Sequence, residues 1–123
     1  MSVNENHNIH IGKQAEDAVL RILLSRGFCL LERNFRAGRV GELDLILTKD
    51  YRLYVVEVKS RLDKDTFGGP AYAITPVKRM KMKRSTAIFL EERHIFGYDI
   101  VFLAGCVTHS TRGVITNVQI LPF

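Results

Sequence analysis

The sequence predicts an α/β domain in which a mixed central sheet of about five strands is flanked by helices. Three observations lead there. The 123 residues are one domain's worth of chain. Hydrophobic periodicity reads, in order, as helix, three strands, helix, two strands. The connections between the first three strands are tight turns, which makes an antiparallel meander the natural pairing. The long second helix, by contrast, is a crossover able to bring the fourth strand in parallel.

Each element has its own warrant. Residues 1–10 (MSVNENHNIH) are polar and rich in Asn and His, and read as a frayed tail ahead of a single domain spanning 11–123. From Gly12 to Arg26, Ala15, Val19, Leu20, Leu23 and Leu24 form an apolar stripe at helical spacing, and Gly27 supplies the stop. Glu16 lies one turn before Leu20 and borders that stripe. Phe28–Phe35 reads as the first strand, with a glycine-containing turn over 36–40. Glu42–Leu47 and Leu53–Lys59 are the next two strands, separated by the polar turn 48–52.

Residues 60–74 contain Gly68-Gly69-Pro70, show no periodicity and read as a loop. Thr75 then offers an N-cap and Pro76 the first helical position of a helix reaching about Arg93. Its apolar stripe reads as Val77, Met80, Ala87 and Ile88, interrupted by Arg84. Gly97–Ala104 and Val114–Leu121 complete the strands.

Composition narrows the function. The net charge is +5, an excess that favours polyanionic partners such as nucleic acid. No apolar run approaches the roughly 20 residues of a membrane helix, and the polar N-terminus lacks the layout of a secretory signal. A cytoplasmic protein without membrane contact is expected. Cys29 and Cys106 stand far apart among apolar neighbours and read as reduced core residues, not as a disulfide or zinc ligands.

The chemistry concentrates in Val55-Val56-Glu57-Val58-Lys59. Alternate strand residues share a face, so Glu57 and Lys59 point the same way, about 7 Å apart along the chain. The apolar residues around them indicate a strand buried on both faces, where a carboxylate and an ammonium are costly unless compensated. On the preceding strand Leu43, Leu45 and Leu47 occupy one face by alternation, leaving Glu42, Asp44 and Ile46 on the other. A simple hairpin register sets Asp44 beside Glu57 or Lys59. Two adjacent carboxylates repel unless a cation lies between them, and hard oxygen ligands with room for waters suit Mg²⁺ or Mn²⁺. Such a centre serves phosphodiester hydrolysis, with Lys59 holding the attacking water and Glu16 completing the metal shell directly or through water. The same three residues would also make a purely structural salt-bridge cluster.

A resemblance bears on that choice. Gly12-x-x-x-Glu16, Arg33-Asn34-Phe35-Arg36, Gly41-Glu42-Leu43-Asp44-Leu45-Ile46 and Val56-Glu57-Val58-Lys59-Ser60-Arg61 together resemble the YraN-like family. Gly69-Pro70, Lys78 at the lysine-rich start of the second helix, and Tyr98-Asp99-Ile100-Val101 follow in the family's order. That family is similar to archaeal Holliday-junction resolvases and belongs to the PD-(D/E)xK nuclease group. The resemblance implies a restriction-endonuclease-like fold, with the signature acids at Asp44 and Glu57, the lysine at Lys59 and a helical acid at Glu16. In one departure, Leu43 stands where many nucleases of the wider group have proline. Resolvase-like relatives also imply a two-fold dimer placing two sites across a junction.

The expectation is therefore a Mg²⁺- or Mn²⁺-dependent endonuclease acting on DNA, branched or junction DNA included. Asp44, Glu57 and Lys59 are catalytic; Asp44, Glu57 and Glu16 hold a weakly bound metal. Arg36, Arg61, Lys78, Arg79 and Lys81 are the expected nucleic-acid contacts. A binder that keeps the nuclease fold without cutting is the alternative, and a protein-interaction domain with a basic surface is a third.

Overall fold

Two helices and five strands follow in the order α1 (Val3–Ser25), β1 (Cys29–Ala37), β2 (Gly41–Lys49), β3 (Arg52–Leu62), α2 (Pro76–Arg93), β4 (Asp99–His109) and β5 (Ile115–Pro122) in a computed structural model. It describes the backbone of residues 3–63 and 74–123, with side chains from His10 onward within them. Lys64 and the Gly68-Gly69-Pro70 loop lie outside the described residues.

The strands form one sheet in the order β1-β2-β3-β4-β5. β1, β2 and β3 are the expected antiparallel meander. Asp50 and Tyr51 both adopt positive φ between β2 and β3, the backbone of a two-residue turn whose twist matches its flanking strands. The α2 crossover brings β4 parallel to β3, from Arg52↔Asp99 to Leu62↔His109, and β5 returns antiparallel. The sheet is mixed and α/β in class, consistent with a restriction-endonuclease-like fold.

The helices cover opposite faces and define two cores. α1 packs Ala15, Val19 and Leu23 against Leu45, Leu47, Val56 and Val107. α2 packs Met82 and Phe89 against Phe35, Leu43, Ile46, Leu53 and Val55. Phe89 meets Phe35 edge-on at 5.0 Å between ring centroids, the favoured geometry for a ring pair. Gly105 on β4 lets α1 approach closely: a Cβ there would stand 2.9 Å from a Val19 methyl.

Several expectations are corrected. α1 starts at Val3 and not at Gly12, so helical backbone includes residues read as a frayed tail; a polar Asn- and His-rich stretch gives no periodic signal to find. Of the stripe assigned to α2 only Ile88 packs against the core, and Ala87 is exposed. Val77 and Met80 are 65% and 64% exposed, and Met82, Ser85, Thr86 and Phe89 are the buried residues instead. These keep helical spacing, but two of them are polar, which hides the face from a hydrophobicity pattern. The Thr86 hydroxyl is satisfied by donating to the Met82 carbonyl at 2.7 Å. Cys29 and Cys106 were expected in the core, yet Cys29 is exposed on edge strand β1 and Cys106 only half-buried. Leu24 is exposed as well.

Strand ends also move. β1 runs on to Ala37, β3 to Leu62 and β4 to His109, so Arg61 stands on the strand and not in the loop after it. Among the described residues no helix is long and apolar enough to cross a membrane.

Candidate active site

Local backbone irregularity creates the site. Regular alternation would put Leu43 and Leu45 on one face, but Leu43 packs in the α2 core and Leu45 in the α1 core. β2 therefore changes face at Asp44. On the neighbouring strand the residue between the pairs Arg33↔Leu45 and Phe35↔Leu43 is Asn34, at φ 55°, a left-handed conformation that Asn tolerates better than most residues. The expected grouping of Leu43 with Leu45 and Leu47 fails because of this switch.

The second irregularity is a fork. The β2–β3 ladder ends at Leu45↔Val56, while β2 continues to Gly41 against β1 and β3 continues to Leu62 against β4. At the fork the Val58 backbone N–H donates to the Asp44 carboxylate, Oδ2, at 2.8 Å. A side chain thus replaces the strand partner that this amide would otherwise lack. Asp44 is thus oriented by a backbone hydrogen bond.

Glu57 stands one residue before that amide and is only 4% exposed. Its Oε1 receives two ammonium groups, Lys78 Nζ at 3.3 Å and Lys59 Nζ at 3.8 Å. Its Oε2 is buried with no hydrogen-bond partner among the described residues. Burial first, and the Asp44 charge second, push the Glu57 carboxyl up to about 7, against the pull of Lys78 and Lys59. Burial likewise raises the Asp44 carboxyl, opposed chiefly by the Val58 hydrogen bond and Lys78. Each acid is thereby harder to charge than in water, as burial beside a like charge dictates.

Glu16 approaches from the α1 side. Its carboxyl is raised by burial and then by Asp44, so it senses that carboxylate electrostatically. Its direct partner is Arg33 Nε at 3.3 Å, and Arg33 also bonds Asp17. A cleft of about 490 Å³ lined by Gly12, Lys13, Glu16, Arg33 and Asn34 opens on this side. Among the described residues no three acidic, histidine or cysteine side chains gather closely enough to hold a metal. Asp44 and Glu57 interact electrostatically across the fork, and Glu16 does not join them in a three-ligand cage. What remains is a two-carboxylate donor set with an unpartnered buried oxygen. It suits a hard divalent ion that keeps most of its water, as Mg²⁺ does.

The expected nucleic-acid residues separate. Lys78 enters the site itself, a placement the sequence did not reveal. Thr75 and Pro76 signal where α2 begins, and the Lys78 N–H indeed donates to Thr75 Oγ1 at 3.1 Å. Nothing in the sequence says which strand that first turn faces. Its neighbourhood is set by close packing at Gly41, where a Cβ would meet Ser85 Oγ at 3.2 Å and Lys81 Cβ at 4.0 Å. Lys81 and Arg36 are exposed, Arg79 lies over the Phe123 ring at 5.5 Å, and half-buried Arg61 acts on the Cys106 thiol, whose pKa burial raises and Arg61 opposes. Arg33 and Asn34, which secure Glu16, were visible only as part of a motif.

Comparison with known proteins agrees with the motifs. Residues 15–103 match the profile of "Uncharacterised protein family UPF0102". A UPF0102 protein of Dictyoglomus turgidum is 34% identical over 116 residues, covering 94% of this chain and 97% of its own. One from Neisseria meningitidis serogroup C is 40% identical over 84 residues, 68% of this chain and 71% of its own. Another from Herminiimonas arsenicoxydans is 41% identical over 81 residues, 66% and 64% of the two chains. The chain belongs to the UPF0102 family, the YraN-like group that its motifs resemble.

Proposed function

We propose that the protein is a metal-dependent endonuclease that hydrolyses phosphodiester bonds in DNA, with branched or junction DNA as its preferred shape. One observation carries the reading: a nearly inaccessible Glu57 carboxylate shares a fork in the sheet with Asp44, and Lys59 follows two residues later. Two buried acids side by side, Glu57 with one oxygen unpartnered among the described residues, are expensive as scaffolding and useful as ligands.

Asp44 and Glu57 would hold the ion, with Glu16 as a supporting acid on the α1 side. When bound, Mg²⁺ or Mn²⁺ supplies Lewis-acid stabilisation of phosphoryl charge and a more acidic water. Lys59, half-exposed at the mouth, orients the attacking water and neutralises a non-bridging oxygen. Water adds to phosphorus, one P–O ester bond breaks, the departing alkoxide takes a proton, and the attacking water loses one to solvent.

The start of α2 supports a polyanionic substrate. Its first turn contains no acid and carries Lys78 and Arg79, with Lys81 in the next turn, although the positive end of a helix disfavours cations. A bound phosphate backbone relieves that arrangement. Arg36 and Arg61 extend the same preference without reading sequence.

A second reading also has an observation behind it. Lys78 and Lys59 already neutralise Glu57 without a metal, as in a fold that binds nucleic acid and no longer cuts. Cleavage of labelled linear, flapped and four-way DNA and structured RNA, with Mg²⁺ or Mn²⁺, separates the two. The endonuclease reading expects cleavage that Glu57→Ala and Lys59→Ala each abolish. Bound but intact substrate with wild-type protein refutes it and leaves the binder.

A further inference from the structure

Lys78 is the feature that the proposed chemistry leaves over. It is nearer to Glu57 than Lys59 is, at 3.3 Å against 3.8 Å, and it arrives from a different element. Glu57 and Lys59 are fixed on one strand, whereas Lys78 projects from the first turn of α2, anchored there by the Thr75 cap. Both ammonium groups gather on Oε1, and Oε2 has no partner among the described residues. The carboxylate is thus neutralised on one oxygen and bare on the other.

We infer that Lys78 is a resident counter-cation of the carboxylate pair, displaced from Glu57 when a divalent ion binds and then available to a phosphate of the substrate. This rests on the proposed metal site. Asp44 and Glu57 carry two negative charges when ionised, and Lys59 and Lys78 carry two positive ones, so the cluster balances without a metal. A divalent ion adds two further positive charges beside Glu57 and repels both lysines. Lys59 has little to lose, since its contact is already at the limit of an ion pair. Lys78 makes the closer contact and is the group that must give way.

Its side chain can do so. The four-carbon stem is flexible, and the ammonium is a compact, rotatable charge; about a third of the side chain is solvent-exposed. Once released it stands in the first turn of a helix, where the dipole favours an anion and not a cation. An incoming phosphodiester supplies that anion at the moment Glu57 no longer does. Metal and DNA then bind with positive coupling, because each accepts what the other displaces.

The test is Mn²⁺ titration calorimetry on the full chain, with wild type, Lys78→Met, Lys78→Arg and Glu57→Gln. Lys78→Met is expected to bind Mn²⁺ roughly tenfold more tightly than wild type, because a competing charge a few ångströms away is gone. Lys78→Arg, which keeps the charge, should stay near wild type, and Glu57→Gln should lose the site. A Lys78→Met affinity equal to or weaker than wild type overturns the counter-cation role and leaves the metal site standing. Tighter binding in both Lys78→Met and Lys78→Arg overturns it too, since bulk and not charge would be responsible. No Mn²⁺ binding in any variant defeats this inference and the metal site together. Anisotropy of a labelled four-way junction, with Ca²⁺ as the oxygen-seeking probe ion, checks the transfer to phosphate. Ca²⁺ should strengthen junction binding more in wild type than in Lys78→Met; equal strengthening rules the transfer out.

Discussion

Glu57→Gln removes the ionisation that the fold opposes most among the described residues. The carboxyl ordinarily titrates near 4.5 and in the folded chain is pushed up to about 7. Between those values the folded protein keeps a proton that the unfolded chain has released. Stability is therefore full below pH 4.5 and falls as pH rises through about 7. At about 1.4 kcal/mol per pK unit the loss is on the order of 3 kcal/mol. Glutamine fills the same space and never charges, so the variant lacks this decline. Asp44, whose carboxyl is raised in the same direction, keeps a smaller decline of its own, reduced once its charged neighbour is gone. Urea unfolding at a series of pH values, in chelator, gives both curves. At pH 8 the variant should be the more stable by up to about 3 kcal/mol, equivalent to roughly 10 °C in melting temperature for a domain of this size. Divalent ion should then stabilise wild type and not the variant. Parallel pH curves, or a variant less stable than wild type at pH 8, would refute the reasoning, because Lys78 and Lys59 would then offset the buried carboxylate in full.

Three further outcomes follow from other contacts. Asp44→Asn keeps an acceptor for the Val58 N–H and Asp44→Ala does not; chemical denaturation should find Ala less stable by about 1–3 kcal/mol, while both lose metal binding. Gly105→Ala drives a methyl into Val19 and should cost about 1–3 kcal/mol in thermal unfolding, with much of it recovered in the double variant Gly105→Ala/Val19→Ala. Exposed Lys81 and Arg36 are expected phosphate contacts, so replacing either by Ala should weaken DNA binding uniformly across sequences. Each loss should flatten the plot of log affinity against log salt by about one unit.

Much of this architecture was legible because it rests on local signals. Gly27 ends α1 and Thr75-Pro76 starts α2, each for a reason that acts within a few residues. A simple hairpin register between β2 and β3 is enough to put Asp44 beside Glu57 or Lys59 from residue spacing alone. What failed was non-local. The face switch at Asp44 depends on Asn34 across the ladder, and period-two counting along one strand cannot register a partner's backbone. The buried face of α2 contains Ser85 and Thr86, so a stripe defined by hydrophobicity fell on Val77 and Met80 instead. Lys78 was legible as a basic residue near a helix start, but its aim at Glu57 follows from how the crossover seats α2 on the sheet. Glu16 was correctly set at the border of α1's buried stripe, yet Arg33 and Asn34, which claim its carboxylate, come from β1.

The central claim is that Asp44 and Glu57 form a divalent-cation site. The most direct measurement is anomalous diffraction from crystals of the full chain soaked in Mn²⁺. The account predicts a peak bounded by the Asp44 and Glu57 carboxylates, lost in Glu57→Gln crystals, with Lys78 Nζ no longer on Glu57 Oε1. Mn²⁺ found only elsewhere, with Lys78 still seated on Glu57, would contradict it.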